Sequence, residues 1–177
     1  MSSTIAQRLS AAGVLLLTLA LPSAATAQYQ LPTVISSVKA DSLHEAAAAL
    51  VAAHRYRDAA SLHRRSADLR PAEDPQGFQC LSEAAALIYA AGDRTAARGD
   101  LARAADHALV RGDLRNAALA YLDAAWIAQE QRNSKQVWEL GHRAEMLAES
   151  PLLGSADRGE ILQRIKRPVL AMRMPTP

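Results

Sequence analysis

A-A-G-D-R-T-A-A at Ala90 to Ala97, V-R-G-D-L-R-N-A-A at Val110 to Ala118 and Q-E-Q-R-N-S-K at Gln129 to Lys135 are three versions of one phrase. Each separates alanine-rich segments whose apolar residues recur every three or four positions, the spacing of one buried helical stripe. In the first two, a glycine supplies the left-handed residue that ends a helix at little steric cost. The Asp or Asn that follows can accept a hydrogen bond from the first turn of the next helix. A chain that stops and restarts so quickly must turn back, so Ala84 to Asn133 predicts antiparallel helices packed side by side.

The same grammar extends in both directions. Upstream, Asp74 followed by Pro75 is a cap with proline at the first helical position, opening a helix with the stripe Phe78, Leu81, Ala84, Ala85 and Ile88. Before it, Ala59, Leu62, Ser66 and Leu69 form the inner face of a helix that Pro71 stops, with Arg57, Ser61, Arg64 and Asp68 on the far side. Ser42 and Glu45 are spaced as a capping box, starting a helix through Leu43, Ala46, Ala47, Leu50 and Val51 to about His54. Residues 28–40 hold Pro32 and scattered apolar positions, and are expected to be an extended lead-in.

Downstream of Gly92, one helix is expected on Ala97, Leu101, Ala104, Ala105 and Ala108. The next, from about Leu114 to Glu130, carries two stripes, with Tyr121 on one and Leu119, Leu122 and Trp126 on the other, as a sandwiched interior helix would. Asn133 and Gln136 begin a further helix on Val137, Leu140, Ala144 and Leu147; Trp126 and Trp138 are expected to pack in the core between these two helices, or, if one is exposed, to serve as a binding hot spot. A last helix is expected from Asp157 to Arg167 on Ile161, Leu162 and Ile165. The stretch 168–177, rich in proline, reads as a flexible tail or a strap over the end of the array. The fold class is therefore all-α, six to seven helices stacked as antiparallel hairpins over residues 41–167.

Residues 1–27 read as a signal peptide: Arg8, an uncharged apolar run from Leu9 to Leu21, and the small-x-small site Ala25-Thr26-Ala27. Cleavage after Ala27 and export to a bacterial periplasm or beyond are expected, with no transmembrane segment left afterwards. Cys80, the single cysteine, then has no partner within the chain. It reads as a small buried hydrophobe, with a disulfide between two chains as the alternative.

A formal charge of +2 with 4% aromatic residues gives no footing for nucleic acid, which needs concentrated positive charge interleaved with stacking rings. The five histidines include no pair at i and i+4 and no H-E-x-x-H, so a metal site would have to be assembled across helices. They read as packing and surface residues. No catalytic constellation, cofactor motif or metal motif stands in the chain, and no enzyme is expected. The densest charge feature surrounds Arg57, Arg64 and Arg65. It reads as the solvated back of a helix, with Arg64 paired to Asp68, or as a patch for an acidic partner.

The stretch Leu43 to Pro71 resembles a tetratricopeptide repeat, with Leu43, Ala46, Ala47 and Leu50 on its first helix, Tyr56 at the turn, Ala59 and Ser66 at the small positions of its second, and Pro71 closing it. A second unit fits Leu81 to Leu109, and a third Tyr121 to about Pro151. From His54 to Gly92 is 38 residues and from Gly92 to Arg132 is 40, longer than the roughly 34 of the standard repeat. Pairing the helices around Gly112 gives an equally good phase. The resemblance implies a scaffold that presents a helix-lined groove to a protein or peptide, with His44, Ala48, Val51, Ser82, Ala86 and Tyr89 lining it. The runner-up is a compact periplasmic bundle that binds a small ligand or metal as a stress or sensing protein.

Overall fold

The computed structural model describes residues 24–166, with side chains described from residue 36 onward. The signal-peptide core and the whole proline-rich stretch 168–177 lie outside these residues. Among the described residues seven helices follow one another: α1 (Ala24–Ala52), α2 (Tyr56–Asp68), α3 (Pro75–Ala90), α4 (Arg94–Val110), α5 (Leu114–Glu130), α6 (Ser134–Ala148) and α7 (Ser155–Lys166). No strand occurs among the described residues. None of the described helices is long and apolar enough to cross a membrane.

Four of the six connections are one turn repeated. His54, Gly92, Gly112 and Arg132 sit at φ 55, 89, 72 and 56°. The residue after each donates its N–H to a carbonyl five back: Arg55 to Leu50, Asp93 to Ile88, Asp113 to Ala108 and Asn133 to Ala128, at 2.9–3.0 Å. This bond satisfies a carbonyl that the helix end would otherwise leave open. At three of the four turns that same residue caps the next helix, its side chain accepting from Ala96, Asn116 or Gln136. Arg55 contributes no side-chain cap. Asp74 caps α3 through the N–H of Gln76, with Pro75 beside it. The last open carbonyls of α6 are met differently, by the Arg158 guanidinium donating to Ala148 and Ser150 at 2.9 Å.

Each helix packs against the next, and α7 lies against both α5 and α6. Side chains also reach across to the helix after next. Arg64 of α2 pairs with Asp100 of α4 at 2.7 Å, Tyr89 of α3 donates to Glu130 of α5 at 2.8 Å, and Arg115 of α5 pairs with Glu160 of α7 at 2.7 Å. Odd helices thus form one layer and even helices the other, with same-layer partners 35 to 45 residues apart in sequence. The seam between layers is built from short side chains: Ala47, Ala59, Ala84, Ala97, Ala105, Ala118, Ala124 and Ala144 are fully buried. Alanine lets helix axes approach closely, and a larger residue would force them apart. Helix α5 buries ten of its seventeen residues, as an interior helix must, whereas α7 buries Ile161 alone.

Three expectations are corrected. Residues 28–40 are helical and continuous with the rest of α1. Ser42 does not cap a helix, because its hydroxyl turns back to donate to the Val38 carbonyl at 3.1 Å, a bond that serine makes inside helices. Further along, Leu162 is 38% exposed rather than core-facing, and α7 begins at Ser155, so Asp157 stands within its first turn.

Candidate functional site

The widest departure from ordinary surface chemistry lies where α5, α6 and α7 meet. Trp138 on α6 is 68% exposed, which overturns its expected place in the core. Its indole stacks on His142 one turn later, with ring centres 5.2 Å apart and planes 13° from parallel. Beneath the pair opens a cavity of about 280 Å³ lined by Leu122, Trp126, Val137, Gly141, Arg164 and Ile165, among others. Gly141 is part of this lining, with nothing within 4 Å of where its Cβ would stand. Trp126 is half-buried and tilts against Tyr89 at 6.4 Å. Arg164 is held in place by Asp123 at 2.6 Å, so the wall formed by α7 is pinned to α5.

The residues expected to line a groove divide. Ala48 is exposed, while His44, Val51, Ser82 and Tyr89 are half-buried. Ala86 is 4% exposed and belongs to the core, so it offers a partner nothing. Ser82 spends its hydroxyl on the Phe78 carbonyl, and Tyr89 lies under Arg94 while bonded to Glu130. Beside Ser82 and Glu83, a second depression of about 500 Å³ runs between α3 and α5 over Phe78, Leu101 and Leu119.

The basic patch is thinner than its sequence implies. Arg57 and Arg65 are exposed, but Arg64 pairs with Asp100 on α4 rather than with Asp68, which takes Arg103 instead. Arg70 is buried between Asp41 and Asp74.

A third constellation gathers at α1, α2 and α3. His44, His63 and Cys80 present donor atoms that all lie within 4.8 Å of one another. Glu83 joins them, its Oε2 standing 3.5 Å from His44 Nδ1 and 3.3 Å from His63 Nδ1. Cys80 Sγ is 3.6 Å from His44 Nδ1 and 3.5 Å from the Ser66 hydroxyl, and that hydroxyl donates to the Ala40 carbonyl at 2.7 Å. His63 is 5% exposed and Cys80 1%, so Cys80 is buried as expected and the alternative, a disulfide between chains, has no accessible thiol. Burial pushes the Cys80 thiol up, against the pull of Ser66 and Arg70. Burial also lowers His63, outweighing the Glu83 carboxylate and favouring the neutral ring.

No protein-family model matches the chain, and neither does any curated protein or solved structure.

Proposed function

We propose that this chain is an exported, tetratricopeptide-like scaffold that grips a peptide segment of a partner protein, holding one bulky apolar side chain in the α5–α6–α7 cavity. The observation that carries the reading is Trp138, a large aromatic ring 68% exposed at the rim of an apolar hollow. Tryptophan so placed is the residue type most often found to dominate binding, because it buries a large area with few torsions to freeze. The pinned Asp123–Arg164 wall supports a pre-formed pocket, which lowers the ordering cost of association. Ala48, Val51 and Tyr89 on the odd-helix layer would contact the flanking peptide. Export rests on residues 1–27, and a mature chain beginning at Gln28 is its expected product.

Peptides selected from a random displayed library against the purified chain test the reading. They should carry an aromatic or large aliphatic anchor and shift the tryptophan emission on binding. Trp138→Ala should weaken them by about 2 kcal/mol, roughly 30-fold. Peptides that bind Trp138→Ala and Trp126→Ala as well as the parent chain would remove the pocket from the account.

A further inference from the structure

Polar groups buried away from water are almost always hydrogen-bonded, and each exception calls for a reason. Among the described residues, His63 Nδ1 and Glu83 Oε2 are two such atoms, buried and without a hydrogen bond, although they face each other at 3.3 Å. A protonated imidazole donating to the carboxylate would resolve the contact, but their alignment forms no such bond. What remains is a ring nitrogen and a carboxylate oxygen that face each other at 3.3 Å, with a thiol and a second imidazole on the border of the space they share.

We infer that His44, His63, Cys80 and Glu83 form a binding site for a single Zn²⁺ ion, one ligand from α1, one from α2 and two from α3. The chemistry of the set fits: two imidazoles, a thiol and a carboxylate match a borderline-soft, four-coordinate cation and suit Mg²⁺ or Ca²⁺ poorly. The geometry fits as well. In a tetrahedral site with nitrogen or oxygen at about 2.0–2.1 Å, neighbouring donors stand about 3.3–3.4 Å apart, and about 3.6 Å when one is sulfur at about 2.3 Å. Three of the six edges are 3.3 Å for His63–Glu83, 3.5 Å for His44–Glu83 and 3.6 Å for His44–Cys80; the donor atoms of His44, His63 and Cys80 all lie within 4.8 Å of one another, and Glu83 meets that trio through the two imidazoles. The two rings stand at 69° to each other, which lets both aim a nitrogen at one point without stacking.

Binding removes the thiol proton to solvent, leaving thiolate and carboxylate to neutralise the ion's two charges. Arg70, close enough to influence the Cys80 sulfur, does not add net positive charge there, since Asp41 and Asp74 each pair with it, at 2.6 and 2.9 Å. With every tetrahedral position filled by protein, the ion is structural. It staples the α1–α2 hairpin to α3 at the end of the array, where α1 packs mainly against α2.

Cobalt titration of the purified, chelator-treated chain tests this. The expected result is one equivalent bound, a near-ultraviolet thiolate-to-cobalt band, the intense visible bands of tetrahedral Co²⁺, and stoichiometric displacement by Zn²⁺. Cys80→Ser should abolish the thiolate band while circular dichroism reports an intact helical chain. His44→Ala, at a half-exposed position that can lose its ring without unfolding, should weaken Zn²⁺ binding by at least the order of 10- to 100-fold that loss of a mere outer-shell partner costs. Zn²⁺ should raise the melting temperature of the parent chain and not that of His44→Ala. The site is refuted if Co²⁺ gives only the faint spectrum of a six-coordinate ion, if Mg²⁺ stabilises equally, or if both variants bind as the parent does.

Discussion

The four repeated turns allow a test in both directions. Gly92 and Gly112 occupy the left-handed region at φ 89 and 72°, and no atom lies within 4 Å of where a Cβ would sit on either. Replacing them with alanine therefore creates no clash, and the whole cost is backbone conformation, about 1–2 kcal/mol. Part of it is offset, by about 0.4–1 kcal/mol, because alanine has less freedom than glycine in the unfolded chain. The net expectation is a loss of about 0.5–1.5 kcal/mol for each of Gly92→Ala and Gly112→Ala. Arg132 makes the same turn at φ 56° with a side chain that is exposed, so Arg132→Gly should run the other way, gaining about 0.5–1 kcal/mol. For a chain of this size each kcal/mol is worth roughly 2–4 °C in melting temperature. Urea unfolding followed by helical circular dichroism, with the slope checked for constancy, measures all three. A destabilised Arg132→Gly alongside an unaffected Gly92→Ala would refute the claim that the connections are one motif.

Other outcomes follow from single contacts. Asp123 and Arg164 form a pair whose side chains are 9% and 11% exposed; Asp123→Ala should cost about 3–5 kcal/mol, the order for removing one partner of a buried ion pair, and a loss below 1 kcal/mol in the same urea assay would contradict it. Gly99 and Gly159 stand in helices with open space around them, so alanine at either should raise stability by about 0.5–1 kcal/mol; a fall in melting temperature would show an unseen contact. The Cys80 thiol, buried and pushed up, should react with a thiol-specific disulfide reagent far more slowly in the native chain than in urea. Immediate stoichiometric labelling of the native chain would mean that α3 opens at this end.

The punctuation of the chain was legible because it is local. A left-handed residue, a capping Asp or Asn and an apolar stripe each act within one turn, so Gly92, Gly112 and Asn133 mark their turns without reference to the rest of the fold. The lead-in was misread because Ser42 has two local bonds open to it, and the backward one to Val38 needs a helix already present. Trp138 was misassigned because its spacing from Leu140 and Val137 leaves its direction open; only the position of α7 settles which side is covered. The histidine and cysteine cluster has no motif spacing, being spread over three helices. A signal was nonetheless present: adding the 38-residue interval between His54 and Gly92 to His44 lands at Ser82, between Cys80 and Glu83. Repeat period, applied to polar residues as well as to the stripe, predicts which of them meet across a layer.

Zinc-edge X-ray absorption of the chain loaded with one equivalent of Zn²⁺ examines the stacking register and the site together, since the ligands come from three helices. The expected spectrum has one sulfur at about 2.3 Å and three nitrogen or oxygen neighbours at about 2.0–2.2 Å, with the multiple scattering of two imidazoles. A shell of six oxygens with no sulfur would show that His44, His63, Cys80 and Glu83 do not converge as the helix order requires.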